Sequence, residues 1–432
     1  MMKKILSTIG LFSLWLSSLA QVQVNNELKS LINQSFGFFP KIKEVQSAVT
    51  TAEERVDLSG TNLPDVFANG SYNYVRPKIQ IPFPIGPGGA LENFQFAPIN
   101  NVAAAINANY LLFDFGRIKA NVEKSKTALQ FAKHNVEYAQ NQLAFQVANI
   151  YYNIVYYEKA ISIQDTVLAY LNDNQKIVES RLKNGDALRI DLLNIRTQID
   201  AEQNQKADLQ NALQKQLTLL TYSTGMNSIT GNGFDFDYSL KPSPDALSEA
   251  KANNIDFALA NDKIKQAKDE LAISKIADRP SINLQAATGY KNGYVPDVND
   301  IKFNYAAGFS LVVPIYSGGI TKKQIHIAES LVKENELAVE TLNNEYKKNI
   351  DQAFIDVRTN LDRIRNTGAQ IDEAEAAEVL AASRFKNGVG TNLEITNASA
   401  NVQRALLTRL QYEYQLCLAK VMLAQLTGYH YW

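Results

Sequence analysis

The residues able to perform acid–base, nucleophilic or metal chemistry are few and scattered along this 432-residue chain. The single cysteine, Cys417, can form neither a disulfide framework nor a thiolate metal site within one chain. His134, His326 and His430 are far apart in the sequence and make no ligand pattern. Carboxylates are plentiful, but no spacing places two of them around a cleft, and no Ser/His/Asp or Cys/His set stands out. The sequence therefore predicts a protein that is not an enzyme and uses no metal or cofactor.

The balance of charge narrows the class of partner. Lys and Arg together number 43, Asp and Glu together number 44, and the formal net charge is −1. No basic excess is available to neutralise phosphates, so the composition argues against nucleic acid as a partner. The chain is long enough for a large core or for several layers of secondary structure.

A short stretch occurs twice at an offset of 203 residues, as Arg181-Leu182-Lys183-Asn184-Gly185-Asp186 and Arg384-Phe385-Lys386-Asn387-Gly388-Val389. The offset continues beyond the stretch, because Asp191 falls on Glu394 and Asn194 falls on Asn397. Asn-Gly after a helix supplies the left-handed residue that ends it. One copy alone would be an ordinary helix end. Two copies in phase predict a duplicated chain in which each copy is the tip of a long helical hairpin.

The first 20 residues have the pattern of a signal peptide. Lys3 and Lys4 form the positive region, Ile5 to Leu16 the apolar region, and Ser18-Leu19-Ala20 a small-residue cleavage site. A single membrane anchor is the alternative, but the apolar run is too short to span a bilayer. After residue 20 there is no apolar stretch of 18 residues, so an exported protein of this sequence would have to enter a membrane through β-strands.

Four segments alternate between apolar and polar residues and are predicted strands, namely 65–75, 101–112, 281–290 and 303–313. In the second of them Ala104, Ile106, Ala108 and Leu112 share one face, whereas Asn107 and Asn109 lie on the other. This pattern is typical of a strand with lipid on one side and water on the other, although a sandwich strand with one solvated face remains an alternative. Residues 78–98, which are rich in Pro and Gly, are expected to form a loop without regular structure.

The remaining segments are predicted to be helical. No proline occurs between residues 99 and 241 or after residue 314, and the apolar positions of the long hairpins 117–224 and 319–427 recur in a 3-4 rhythm that is typical of coiled coils. Shorter helices are predicted at 26–62 and 255–277. The domain organisation is therefore a first repeat at 21–225, a linker at 226–250 and a second repeat at 251–432. A rod-like coiled-coil dimer remains open on this evidence.

The order of short helix, strand pair, long helix, Asn-Gly turn and return helix, repeated behind a signal peptide, resembles the TolC-type outer-membrane efflux and secretion channels (outer membrane factors). The most specific residues are Pro314-Ile315-Tyr316-Ser317-Gly318-Gly319 and the tip Arg384 to Asn397 with its twin Arg181 to Asn194. The resemblance implies an α+β membrane fold. Three copies, with four strands per chain, would form a twelve-stranded β-barrel that continues into a periplasmic α-helical coiled-coil barrel.

The resemblance also implies a function and a set of partners. The homotrimer would be the outer-membrane exit duct of a tripartite efflux or type I secretion system, with most of the chain in the periplasm. It would conduct substrate passively from a periplasmic adaptor (membrane fusion) protein and an inner-membrane transporter, and its barrel would contact outer-membrane lipid. The alternative is a non-conducting periplasmic coiled-coil scaffold or adhesin anchored in the outer membrane. The cargo does not follow from the sequence.

Residue roles follow from the same resemblance, which places a gate at the periplasmic tip. The residues assigned to that gate are Arg181, Asp191, Asn194, Arg384, Phe385, Glu394 and Asn397. Those assigned to the tip turns and to adaptor docking are Asn184, Gly185, Asn387, Gly388 and Gly390, and those assigned to the strand–helix junction are Pro314, Gly318 and Gly319. Asn397 replaces the usual Asp, and Phe385 lacks the hydroxyl of the usual Tyr, so gating contacts should differ in detail. Alternatively, Glu394 is an exposed charge favoured by a helix N-terminus.

Overall fold

The structure is a computed structural model that describes residues 24–85, 89–239 and 241–432. The signal peptide predicted at residues 1–20 lies outside the described residues. In chain order the helices and strands are α1 (Asn26–Phe38), α2 (Pro40–Gly60), β1 (Asp65–Tyr74), β2 (Gln80–Ile85), β3 (Ala90–Gln95), β4 (Asn100–Phe113), α3 (Arg117–Asn184), α4 (Arg189–Thr224), α5 (Ser243–Asn253), α6 (Ile255–Lys275), β5 (Ser281–Lys291), β6 (Lys302–Val312), α7 (Ile320–Lys386) and α8 (Asn392–Leu426). None of the helices that the structure describes combines the length and the apolar character needed to cross a bilayer.

The chain forms two compact units. The first contains the described residues up to Gln46 together with His134–Ala258 and Glu340–Trp432, and the second contains Ser47–Lys133 and Leu259–Val339. Each unit takes segments from both halves of the chain. The compact units therefore cut across the repeats 21–225 and 251–432 that the sequence indicates, instead of matching them one to one.

A four-stranded antiparallel sheet dominates the second unit, with the strand order β1-β4-β5-β6. The strands of the two repeats meet where β4 pairs with β5, and Tyr110 is opposite Leu284 in that pairing. In the next pairing Leu284 is opposite Phe309, so apolar residues continue across the sheet on one face. A bulge interrupts the register near Leu112, which has no ladder partner. Within this sheet β1 and β6 are edge strands, each with one side left unpaired.

The region between β1 and β4 corrects one expectation. Residues 78–98 were expected to lack regular structure, but β2 and β3 pair as a separate two-stranded antiparallel sheet, with Ile81 opposite Phe94. The prolines of this segment argue against a central strand because they lack an N–H group. Pro82 and Pro84 are tolerated here because an isolated pair of strands has free edges.

The main core of the first unit forms around the middle of α3. Tyr151 and Tyr152 are fully buried there, and their rings meet edge to face at 5.1 Å between centroids. Residues 226–250, which the sequence analysis assigns to a linker, contribute Phe236 and Tyr238 to this core and also contain the start of α5. The segment is therefore packed structure and not an open connection, since burial of its two aromatic side chains ties it to α3.

A second, smaller core lies near the ends of the long helices. It contains Leu171 and Val178 of α3, Ile195 of α4, and Phe385 and Ile395 of the second hairpin. Helices from both repeats thus share one apolar cluster beside the two Asn-Gly turns. This cluster holds the two tips together.

Candidate functional site

The four-stranded sheet has two faces of different chemistry. Because side chains alternate along a strand, the registers assign every second residue to one face. That face is almost wholly apolar, and it comprises Val66, Ala68, Gly70, Tyr72, Tyr74, Val102, Ala104, Ile106, Ala108, Tyr110, Ile282, Leu284, Ala286, Thr288, Tyr290, Phe303, Tyr305, Ala307, Phe309 and Leu311. The described part of the chain leaves much of this face open to solvent, since Ile106 is 54% exposed and Phe309 is 80% exposed. We call it the apolar face.

The opposite face, which we call the polar face, is rich in amides and small residues. Asn107 and Asn69 lie on it and share a hydrogen bond, in which Asn107 Nδ2 donates to Asn69 Oδ1 at 2.6 Å. Its charged residues occur only at its ends, with Asp65 at one end and Lys291 and Lys302 at the other. A sheet with one exposed apolar face and one exposed amide face suits lipid on one side and water on the other.

Both edges of the sheet carry exposed apolar residues at the same end. Leu63, which precedes β1, is 78% exposed, and Ile315 and Tyr316, which follow β6, are 95% and 86% exposed. The predicted strand–helix junction lies here. Pro314 follows the strand, and Gly318 and Gly319 both have positive φ, +65° and +76°, which lets the chain turn sharply into α7.

The first hairpin tip is a short turn between α3 and α4. Asn184 is the last residue of α3, Gly185 has a φ of +84°, and Asp186 N–H donates to the Arg181 carbonyl at 2.8 Å. Asp191 Oδ2 accepts from the backbone N–H of Leu188 at 3.1 Å and so caps α4. Further from the tip, an ion pair joins the two helices, in which Arg196 Nη2 of α4 lies 3.0 Å from Glu179 Oε1 of α3.

That ion pair belongs to the first hairpin alone, since the offset of 203 residues places Ala382 and Ser399 at the corresponding positions. Hydrogen bonds from Gln175 and Arg196 lower the pKa of Glu179 from its usual value. The charge of Glu179 therefore helps to hold α3 against α4.

The second tip is the turn between α7 and α8, and it is one residue longer than the first. Gly388 has a φ of +77°, and the Arg384 carbonyl accepts from both Val389 N–H and Gly390 N–H at 3.0 Å. A Cβ on Gly390 would lie 2.9 Å from the Phe385 nitrogen, so a glycine is needed for this close approach. Thr391 is the N-cap of α8, and its hydroxyl accepts from Glu394 N–H at 3.3 Å.

Side chains of the first hairpin reach across to the second hairpin and connect the two tips. Arg181 Nη2 donates to the Lys386 carbonyl at 3.0 Å, and its guanidinium lies 4.3 Å from the centroid of the Phe385 ring. This is cation–π geometry on a side chain that is only 7% exposed. Asn174 and Asn392, both buried, add an amide hydrogen bond of 3.0 Å between α3 and α8.

Glu394, the acid predicted for the gate, has an ion-pair partner that was not predicted from the sequence. Arg384 Nε lies 3.3 Å from Glu394 Oε2, and both side chains are about half exposed. The signal was present, since opposite charges flank the same turn. Asn194 and Asn397 are exposed on α4 and α8, and Asn387 lies in the second turn. The structure thus brings Arg181, Phe385, Arg384 and Glu394 together around the two turns.

A buried polar cluster was also missed. Glu202 of α4 is 6% exposed, and its carboxylate accepts from Gln164 of α3 at 2.5 Å and Gln403 of α8 at 2.8 Å. Polar residues at apolar heptad positions could have indicated it. The cluster contains a single carboxylate. Within the described ranges, no group of three or more histidine, cysteine or acidic side chains could hold a metal ion.

Comparison with known proteins gives a consistent result. The family model described as outer membrane efflux protein matches residues 31–226 and 246–429. The outer membrane efflux protein BepC of Brucella suis biovar 1 is 22% identical over 335 residues, which are 75% of this chain and 71% of BepC. The solved structure of CusC has a TM-score of 0.77 at 18% identity, covering 97% of this chain and 96% of CusC. The solved structure of VceC of Vibrio cholerae has a TM-score of 0.76 at 17% identity, covering 94% of this chain and 96% of VceC. The TolC-type fold predicted from the sequence is confirmed.

Proposed function

The chain belongs to the outer membrane efflux protein family, and from that premise we propose that it is the exit duct of a tripartite efflux or type I secretion system. Its place is the outer membrane, with the helices in the periplasm. In this proposal the duct is passive. A periplasmic adaptor and an inner-membrane transporter supply the substrate and the energy, and the helical tips form the gate. The chain itself catalyses no reaction.

The sheet is the observation that carries the proposal. It exposes an apolar face and an amide face over the same four strands, and each edge strand is unpaired on its outer side. Exposed strand edges cannot remain unsatisfied in lipid, and four strands are too few to enclose a lumen. Copies of the chain must therefore share one barrel. Three copies give twelve strands, with the apolar face toward lipid and the amide face toward water.

The exposed residues at the sheet edges support the same arrangement. In a closed ring β6 of one copy would pair with β1 of the next, and the strand directions make that pairing antiparallel. Val313, Ile315 and Tyr316 of one copy would then face Leu58 and Leu63 of its neighbour, and all five are at least half exposed in the single chain. Such a head-to-tail contact buries both apolar patches and closes without leaving an edge.

The test is conduction by the extracted protein. Detergent-extracted full-length chain should crosslink as three copies and should produce ion conductance in planar bilayers. A stable monomer that conducts would contradict the shared barrel. A trimer that inserts in the outer membrane and never conducts, even with its adaptor and transporter present, would favour the non-conducting scaffold instead.

A further inference from the structure

The sheet has a small pocket at the end where β1 leads into β2 and where β5 turns toward β6. Its volume is about 330 Å³. Ser71, Asn101, Ala103 and Lys291 line it from the polar face, and Asn292 and Gly293 lie beside them. This end of the sheet lies opposite the connections to α2 and α3. If the polar face is the lumen, as the proposed function has it, the pocket lies at the outer mouth of the duct.

Backbone and amide hydrogen bonds fix the wall of the pocket. Asn292 N–H donates to the Val102 carbonyl at 3.2 Å, and Val102 N–H donates to Asn292 Oδ1 at 2.9 Å. Asn292 Nδ2 also donates to the Asn100 carbonyl at 2.6 Å. The Asn292 side chain thereby extends the β4–β5 ladder by one residue. Gly293, with a φ of +99°, then turns the chain away and leaves the space open.

Among the described residues that line this pocket Lys291 alone is charged, and none of them carries a carboxylate. Its register partner on β6 is Lys302, and like charges directly opposite each other destabilise a strand pair. Lys302 is compensated by Asp297, whose Oδ2 lies 3.2 Å from the Lys302 ammonium. No ion pair forms between Lys291 and a carboxylate of the described residues, and its ammonium lies 5.1 Å from the centroid of the Tyr294 ring. One positive charge is therefore left for a ligand.

We propose that this pocket at the outer mouth binds small molecules through an anionic group, which is a carboxylate, a sulfate or a phosphate. Lys291 supplies the charge, and neutral donors can come from the Ser71 hydroxyl and from the second N–H of the Asn101 amide, whose first N–H donates to the Pro98 carbonyl at 3.0 Å. A trimer carries three such sites around one opening. The anion could belong to a substrate that is leaving the duct or to the external medium, since the chemistry is the same for both. The proposal rests on the proposed function for the assignment of the polar face to the lumen.

The experiment uses the full-length channel in a planar bilayer, with inorganic triphosphate as the probe on one side at a time. Triphosphate added on the outer side should block the current. Lys291→Gln should raise the half-blocking concentration about tenfold, the loss expected for one charge-assisted hydrogen bond, whereas Lys291→Arg should preserve the block. Block from both sides would support access by outgoing substrate, and block from the outer side alone would support capture of external anions. Block from the periplasmic side alone would overturn the site.

Lys302→Gln is the matched control. It removes a lysine from the same face and the same rung of the sheet, but one that Asp297 already neutralises, so the half-blocking concentration should change less than about twofold. An equal effect of the two variants would reduce the site to diffuse surface charge and overturn it. Unaltered block in Lys291→Gln, or absence of block in the native channel, would also overturn it.

Two readouts separate this proposal from the proposed function. A channel that conducts normally but shows no dependence on Lys291 disproves only the anion site. If the extracted protein does not conduct, the proposed function fails, and equilibrium dialysis of triphosphate against detergent-extracted native protein and Lys291→Gln still decides the site. Equal retention by the two proteins in dialysis would overturn it.

Discussion

The sheet and the helical tips use the duplication of the chain in different ways. In the sheet, residues 203 positions apart in β4 and β6 keep the same character. Ile106 corresponds to Phe309 on the apolar face, and Asn107 corresponds to Ser310 on the polar face. At the tips, Arg181 and Arg384 also correspond, but their contacts differ. Arg384 stays within its own turn, whereas Arg181 crosses to the other hairpin.

The physical reason lies in what each region faces. A sheet face toward a uniform medium needs only the right polarity at every second position, and both repeats can meet that need independently. A tip contact depends on side-chain length. Asp191 is one methylene shorter than its counterpart Glu394, and it caps Leu188 instead of reaching Arg181. Within the described residues Arg181 forms no ion pair with Asp191 or with Asp186 of its own turn, and its guanidinium donates to the Lys386 carbonyl instead.

The largest expected effect tests the asymmetry of the tips. Phe385 is 7% exposed and packs in the apolar cluster before the turns, whereas its counterpart Leu182 is partly exposed. Phe385→Ala should cost roughly 3–5 kcal/mol of helical stability, because it leaves a cavity and removes the partner of Arg181. Leu182→Ala should cost less than half as much. Thermal unfolding of the extracted protein, followed by circular dichroism, measures both.

Equal losses in those two variants would mean that the tips are equivalent after all. Arg181→Gln separates the two contributions in Phe385→Ala, since it removes the cation–π contact and keeps the ring in place. It should cost about 1 kcal/mol. If Arg181→Gln destabilises as much as Phe385→Ala, the crossed contact and not the cavity is the main term.

The next effect tests the equivalence of the repeats in the sheet. Ile106→Arg and Phe309→Arg should each cost about 2–4 kcal/mol if both residues face lipid near the middle of the membrane. The neighbouring substitutions Asn107→Arg and Ser310→Arg should cost little, because they face water. Outer-membrane yield and resistance of the trimer to heat in detergent report the difference. Similar yields for all four variants would contradict the assignment of the two faces.

The same contrast explains how much could be predicted from the sequence. The alternation around Ile106 and Asn107 is local, so the sequence already predicts the strand and its two faces. The opposite charges of Arg384 and Glu394 flank one turn, so their pairing could have been found in the sequence, whereas the contact of Arg181 with the Lys386 carbonyl could not, because it depends on how the two hairpins pack against each other. The β2–β3 pair was missed because prolines ordinarily exclude a strand. The Glu202 cluster was missed because its three members, Gln164, Glu202 and Gln403, lie on three different helices.

A smaller effect is expected where the two tips agree. Gly185 and Gly388 both have positive φ, and nothing lies within 4 Å of the position of a Cβ at either residue. Gly185→Val and Gly388→Val should each cost on the order of 1–2 kcal/mol, from backbone strain alone. Gly368→Ala is the control, because it adds a Cβ to the interior of α7, where its closest neighbour is 3.9 Å away, and should stabilise slightly.

Hydrogen exchange of the amides at the helix ends measures these changes locally. If the tips dock the adaptor, both valine variants should also weaken adaptor binding while leaving insertion in the outer membrane intact. Full export by Gly388→Val with its native adaptor and transporter would show that the geometry of the turn is not needed for docking.

The smallest stability effect is expected at the Arg384–Glu394 pair. Both side chains are about half exposed, and exposed ion pairs contribute about 0–1 kcal/mol, so Arg384→Gln and Glu394→Gln should leave trimer yield unchanged. Their effect on conduction should be larger. If the second-repeat tips line the gate, a trimer presents three carboxylates at one level, and each is held beside an arginine of its own chain. Polyvalent cations added from the periplasmic side should therefore block the current less than a ring of unpaired carboxylates would.

The charges of this pair predict how strongly polyvalent cations block the current of each variant. Arg384→Gln leaves the carboxylates uncompensated and should strengthen the block, whereas Glu394→Gln should abolish most of it. The double variant should behave as Glu394→Gln does, because the arginine acts only through the carboxylate. Asp191→Asn is the control from the first tip, where the carboxylate caps a backbone N–H and has no arginine partner. Its effect should be smaller if only the second repeat lines the gate. A block that persists in Glu394→Gln but falls in Asp191→Asn would assign the narrowest ring to the first hairpin. The two tips would then still differ, but the first repeat and not the second would line the gate.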